Sequence, residues 1–232
     1  QLMLQKTRGI VINYIKYRDT SVIVRIYTEN YGLQSYIINS IRSKSSKKSL
    51  ALLQPLSLLE LVVYYKKNGS GGISRLSEYR SAFPFKTIPF DIKKSTIIIF
   101  ISEWLSKIIT EDEPDHSGQF SFLFESIKEF DRLENNFENF HLQLLIKTAH
   151  YLGFGIRSAN NLLLEHNILH SEIKAISEQA LTIGLLPYVH EMKLDNRSRR
   201  EMLDLLIIYY KSHIEAFGDL KSSYVLKEVF KA

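Results

Sequence analysis

The segment IVINYIKYRDTSVIVRIYTENYGLQSYII, Ile10 to Ile38, contains three extended runs in close succession. Ile10–Tyr17, Val22–Thr28 and Leu33–Ile38 are rich in β-branched and aromatic residues, and Arg18-Asp19-Thr20 and Asn30-Tyr31-Gly32 punctuate them as turns. Val22, Val24 and Ile26 share one strand face, while Arg25 lies on the other between Ile23 and Tyr27. Leu58–Lys66 supplies a fourth strand and Ile73–Arg80 a fifth. They are joined by Lys67-Asn68-Gly69-Ser70-Gly71-Gly72, whose glycines accept the positive φ of a turn. That cluster lacks the Gly-Lys-Ser/Thr ending of a phosphate loop and links two strands instead of opening a helix. Five short strands so close together predict a small closed barrel, because closure removes exposed sheet edges. An OB-fold is the first reading and an SH3-like barrel the second.

Between the third and fourth strands runs NSIRSKSSKKSLALLQPLSLLE, Asn39 to Glu60, with Arg42, Lys44, Lys47 and Lys48 set among serines. No acid occurs between Glu29 and Glu60. A phosphate backbone asks for positive charge and reach but no fixed side-chain geometry, and counterion release supplies the affinity. The bland alternative is a solvated loop that binds nothing. Lys6, Arg8, Lys16, Arg18 and Arg25 join the loop as candidates for a groove that tracks DNA. Tyr14, Tyr17, Tyr27, Tyr36, Tyr64 and Tyr65 also fall in the strands. Any facing outward would offer stacking platforms to bases, but filling a half-buried sheet is the plainer role for each.

Phe83-Pro84-Phe85 and Pro89-Phe90 mark a change to helical periodicity. We therefore expect an α+β, two-domain chain: a five-stranded OB-fold over 1–83 and an all-α domain over 84–232. Asp91 is the expected N-cap of a helix carrying Ile97, Ile101, Trp104, Leu105 and Ile108, and it ends before the acidic loop 111–115. A second helix carries Phe120 to Phe130 and a third Phe137 to Leu152, stopped at Gly153. Ile156–Asp195 reads as short helices with loops around Asn160 and Pro187. A long helix over Arg199–Phe217 and a last one over Leu220–Phe230 follow.

Composition narrows the function. Of the residues, 45% are hydrophobic and 24% charged, ordinary values for a globular protein. The net charge of +5 is unevenly placed: up to Phe83 there are 13 Lys and Arg against only Asp19, Glu29, Glu60 and Glu78. Such asymmetry suggests a nucleic-acid face on the first part. There is no cysteine, which excludes disulfides and Cys-ligated zinc and fits a reducing cytoplasm. The start has no apolar leader core, Met3 reads as the native first residue, and the most apolar run is broken by Glu103 and Lys107. We thus expect an intracellular protein with no membrane partner. His166 and His170 stand four apart, but nothing nearby completes a metal site, so no metal is expected. No nucleophile elbow, His-Glu-x-x-His or paired carboxylate in a pocket is present. Glu111 and Glu113 read as solvated. No enzymatic activity, cofactor or small-molecule substrate is expected.

A set of short stretches resembles the bacterial DNA repair and recombination mediator family RecO: Thr7-Arg8-Gly9-Ile10-Val11, Tyr17-Arg18-Asp19-Thr20-Ser21-Val22-Ile23-Val24, Thr28-Glu29-Asn30-Tyr31-Gly32 and Leu53-Gln54-Pro55-Leu56. Ala82-Phe83-Pro84, Leu152-Gly153-Phe154 and Leu220-Lys221-Ser222-Ser223 continue the series, in order, across nearly the whole chain. The resemblance implies an N-terminal OB-fold, a helical domain, binding to single- and double-stranded DNA, and annealing of complementary strands in the cytoplasm at the nucleoid. It further implies cooperation with RecR in loading RecA onto DNA coated with single-stranded DNA-binding protein (SSB). The acidic, apolar SSB tail would need an apolar pocket rimmed by cations, for which Lys128, Arg132 and Lys147 are the candidates. Many members carry a four-cysteine zinc site shortly after Leu-Gly-Phe. Here the segment reads Gly155-Ile156-Arg157-Ser158-Ala159-Asn160-Asn161, so zinc is not inherited. An OB-fold RNA-binding protein associated with translation is the alternative reading, and a protein-binding scaffold a third.

Overall fold

Five β-branched strands close on themselves in a computed structural model that describes residues 2–39, 50–66, 73–111, 117–164, 171–188 and 194–230. They are β1 (Leu2–Tyr17), β2 (Ser21–Thr28), β3 (Gly32–Asn39), β4 (Leu58–Lys66) and β5 (Ser74–Phe83). Their order is β1-β2-β3-β5-β4, closing onto β1, the five-stranded OB arrangement. All pairings are antiparallel except β3–β5, which is parallel through Tyr36–Ser74 and Ile37–Arg75.

The barrel closes because β1 is long enough to serve two neighbours. Its first half, Leu2 to Ile10, pairs with β4, and its second half, Gly9 to Tyr17, with β2. Gly9 belongs to both ladders, and a Cβ there would lie 2.6 Å from Ile26 Cγ2 and 2.8 Å from Leu61 Cδ1. Only a residue without a side chain lets the strand coil across the barrel at this point. A bulge between Val11 and Asn13 adds a second bend. The core holds Val11, Val22, Val24, Ile26, Tyr36, Leu59, Leu61 and Val63, with Leu53 plugging it from the β3–β4 connection. Leu56, at a φ of 60°, donates its N–H to Val11 O and pins that plug beside the bulge.

Among the described residues seven α-helices follow: α1 (Ile92–Ile108), α2 (Ser117–Arg132), α3 (Phe140–Tyr151), α4 (Ala159–Leu164), α5 (Ser171–Leu185), α6 (Asn196–His213) and α7 (Ser222–Val229). Asp91 Oδ1 accepts the N–H groups of Lys93 and Lys94, capping α1 as expected. Two expectations for the later helices change. Asn160 lies inside α4, because the Asn161 carboxamide accepts from Arg157 N, Ser158 N and Ser158 Oγ and so nucleates a helical turn. The long helix ends at His213, short of Phe217. Ser212 Oγ and His213 Nδ1 both reach Tyr209 O and compete with the backbone there.

The chain forms two compact units. One unit is Gln1–Phe85 with Ser102–Ile127; the other is Lys86–Ile101 with Lys128–Ala232. In the first, Tyr27 packs on Phe120 at 5.6 Å, and Ser102 Oγ donates to Ile12 O at the bulge. In the second, Phe130 stacks on Phe140 at 4.3 Å. There Gly184 lets α5 approach α3, where a Cβ would lie 2.3 Å from Ile146 Cγ2. Gly153, at a φ of 85°, ends the turn after α3, and Phe154 then packs against Tyr210 and His213. Among the described residues, no helix is long and apolar enough to cross a membrane.

Candidate nucleic-acid interface

Strand alternation divides the barrel's outward residues, and the strand register divides them again. At one end of the β1–β2–β3 sheet the outer face is covered: Tyr27 lies under Phe120, and the Ile12 carbonyl freed by the bulge is bound by Ser102. Beyond the bulge three cross-strand rows follow. They are Asn13–Arg25–Ser35, then Ile15–Ile23–Ile37–Arg75, then Tyr17–Ser21–Asn39. None of these residues is acidic. Arg75 is exposed and Arg25 half-buried, and neither has an ion-pair partner among the described residues. Arg18 stands at the β1–β2 turn with a φ of 59°, its guanidinium 5.2 Å from the Tyr17 ring centre. Lys16, exposed and also without an ion-pair partner among the described residues, extends the charge from the opposite side of β1 at the same hairpin end.

The other barrel arginines described, Arg8 and Arg80, lie elsewhere, each against a glutamate. Arg8 makes a two-pronged contact with Glu29, Nε to Oε2 at 2.9 Å and Nη2 to Oε1 at 2.7 Å, and also sits over the Phe124 ring at 4.7 Å. This hydrogen-bonded partner raises the Arg8 pKa and lowers that of Glu29. Arg8 is cross-strand neighbour to Glu60, which pairs in turn with Arg80, so signs alternate around that side of the barrel. Lys6 is exposed beside Val62, whose other neighbour is Glu78. The structure therefore puts Arg25 on the acid-free face with Arg18 at its hairpin end, leaves Lys16 on the opposite side of β1, and sets Lys6 and Arg8 apart, Arg8 held by Glu29.

Arg42, Lys44, Lys47 and Lys48 lie outside the described residues, as do His166 and His170. The loop's described flank, Asn39, is the partner of Ser21, whose Oγ donates to Asn39 Oδ1 at 2.9 Å. The basic segment thus leaves β3 at the edge of the acid-free face. Arg75 is the residue that sequence reasoning missed. Its place beside Ile37 depends on the parallel β3–β5 pairing, which no local pattern announces. Of the strand tyrosines, Tyr27 and Tyr36 are fully buried, Tyr14 packs against the barrel core, and Tyr17 carries Arg18. Tyr64 is exposed beside Leu4 on the other side, and the Tyr65 side chain lies outside the described residues.

The second unit carries its own cations. Lys128 and Arg132 share a face of α2, and Arg132 pairs with Glu129 at 3.8 Å. Lys147, on α3, donates to Gly184 O at 2.7 Å and lies 5.6 Å from the Tyr188 ring, and burial pulls its ammonium below the ordinary lysine range. Among the described residues no group of three or more His, Asp or Glu is placed to hold a metal.

Comparison with known proteins adds the last observations. The family described as Recombination protein O N terminal matches residues 3–85, and Recombination protein O C terminal matches residues 89–173. The chain is 38% identical to the DNA repair protein RecO of Flavobacterium psychrophilum, over 97% of this chain and 98% of that one. It is 35% identical to the protein of the same name from Phocaeicola vulgatus and 36% identical to that from Bacteroides fragilis, in each case over 98% of this chain and 100% of the relative.

Proposed function

This chain belongs to the RecO family of DNA repair proteins, and from that premise we propose that it binds single- and double-stranded DNA through the acid-free outer face of its barrel and anneals complementary strands. The observation that carries the reading is the placement of Arg18, Arg25 and Arg75 around rows that contain no carboxylate, while the barrel's other arginines, Arg8 and Arg80, are paired with glutamates. A cationic face without internal counter-ions holds condensed small ions that a phosphate backbone can replace. Two bound strands then feel less mutual repulsion, and base pairing follows without nucleotide hydrolysis. The basic segment with Arg42, Lys44, Lys47 and Lys48, which follows Asn39 in the sequence, adds positive charge for the same DNA. Arg8, held by Glu29, shapes the β1–β2 region and leaves phosphate contact to its neighbours.

In the cell the protein acts in the cytoplasm at the nucleoid, as a mediator and not as an enzyme. With RecR it helps to load RecA onto SSB-coated strands. The helical unit docks the acidic SSB tail, offering Lys128, Arg132 and Lys147. Lys147 is already engaged by Gly184, so the first two carry most of that contact. If Lys128→Glu with Arg132→Glu leaves tail-peptide affinity unchanged, that docking assignment is wrong.

Annealing of two complementary fluorescent strands tests the main reading. Changing Arg18, Arg25 and Arg75 together to alanine should slow annealing on the order of tenfold at moderate salt. An unchanged rate, or equal binding to RNA of the same length with no annealing, would refute it.

A further inference from the structure

We infer that the acid-free face discriminates single strands from duplex, with Ile15 as the residue that sets this preference. The inference rests on the DNA-binding reading above. Along the row Ile15–Ile23–Ile37–Arg75, Ile23 is buried and Ile37 half-buried, but Ile15 is 61% exposed. An aliphatic side chain left in water on the face that carries Arg25, with Arg18 at its hairpin end, contributes nothing to the barrel core, which lies on the opposite side of β1. The neighbouring outward ring, Tyr17, already carries the Arg18 guanidinium, and Ile15, the more exposed of the two aliphatic residues Ile15 and Ile73, offers an open apolar surface to a ligand.

The two forms of DNA present different chemistry to such a surface. A duplex shows its phosphates and sugars and keeps the base faces stacked inside, so an exposed aliphatic group on its path stays wet or is pushed aside. An unpaired strand has free base faces, which leave water when they lie on an apolar side chain. With neighbouring strands about 4.8 Å apart, the three steps from Ile15 to Arg75 span roughly 14 Å. That length lets one strand set a base on Ile15 while Arg25, one strand over, and Arg75, three strands over, hold phosphates further along its path. Arginines serve both kinds of DNA, whereas Ile15 serves only the unpaired one. An annealing protein gains from the difference: it grips its substrates more firmly than its product and lets the finished duplex go.

The test compares oligo-dT with a blunt hairpin duplex carrying the same number of phosphates, each labelled with fluorescein, on the full chain. Ile15→Ser should weaken oligo-dT binding about fivefold or more while changing duplex binding less than about twofold. Arg75→Ala should weaken both. Ile15→Phe, which enlarges the apolar contact, should tighten oligo-dT binding and leave the duplex alone. The inference is overturned if Ile15→Ser weakens both DNAs equally or neither, or if Ile15→Phe tightens the duplex as much as the single strand. Failure of the wild type to bind either DNA would remove the DNA-binding reading itself, and this inference with it.

Discussion

Replacing Asp131 by asparagine should cost the helical unit about 3 kcal/mol, an estimate that follows from its contacts. The Asp131 side chain is buried, the residue being only 1% exposed. Its Oδ2 accepts Lys86 N at 2.8 Å; its Oδ1 accepts Thr87 N at 2.9 Å and Ile88 N at 3.0 Å. Lys94, equally buried, donates to Thr87 Oγ1 at 2.7 Å, to Phe130 O at 3.1 Å and also to Leu133 O. Burial alone would raise the Asp131 pKa, but the N–H groups of Ile88, Lys86 and Thr87 together hold it below the ordinary range. Asparagine keeps one acceptor oxygen but turns an NH2 toward the Lys86 N–H, and it removes the negative charge that offsets the Lys94 ammonium. Hydrogen bonds to a charged group contribute about 1.5–3 kcal/mol each. One is lost and two are weakened, and some of that is recovered when the side chain relaxes. Urea unfolding at pH 7, followed by the far-UV circular dichroism of the helices, is the assay. A loss under about 1 kcal/mol would refute the reasoning, as would the absence of coupling between Asp131→Asn and Lys94→Met. Since the folded pKa of Asp131 is depressed, its contribution is present above the unfolded carboxylate value and disappears as pH falls through the lower folded one.

Gly9→Val should destabilise the barrel by about 2 kcal/mol, since the new Cβ would overlap Ile26 and Leu61; a melting temperature equal to that of the wild type would contradict this. His141 is buried against Phe100 and Phe230, with no hydrogen-bond partner for Nδ1 among the described residues. Burial, with help from Arg199, pushes its pKa down to about 3. The unfolded chain therefore takes up a proton below the ordinary histidine value that the folded chain refuses, and stability declines as pH falls from about 6.5. The His141 share of that loss should reach about 2 kcal/mol by pH 5, and His141→Leu should remove it; identical pH profiles for the two proteins would refute the assignment.

The sequence carried the strands well where neighbouring residues alone shape them. Ile10–Tyr17, Val22–Thr28, Leu33–Ile38 and Leu58–Lys66 all lie in strands, and the OB order emerged as expected. Leu2 to Lys6 was the largest part not foreseen. LMLQK has little alternation of its own and is extended because β4 pairs with it. The same limit applied to the interface. Counting charge located the basic barrel, but it treated Arg8 and Arg25 alike. Only the register shows Arg8 tied to Glu29 and Arg25 set in a row without acids. Arg75 was invisible for the same reason, since its neighbour Ile37 lies far away in sequence. In the helical part, Asp91 and Gly153 were legible as a cap and a stop, because capping is local chemistry. The grouping of 102–127 with the barrel was not legible, because the division falls inside α2, whose phenylalanine periodicity runs on unbroken from Phe120 to Phe130.

The most direct test of the account is the salt dependence of oligo-dT binding for the wild type, for Arg25→Ala with Arg75→Ala, and for Arg80→Ala as the glutamate-paired control. Each phosphate contact removed from a single strand should lower the slope of log affinity against log salt by about 0.7, so the double variant should lose about 1.4 while Arg80→Ala keeps the wild-type slope. Equal slopes for all three proteins, or a loss in the Arg80 variant as large as that in the double variant, would contradict the claim that DNA lies on the acid-free face.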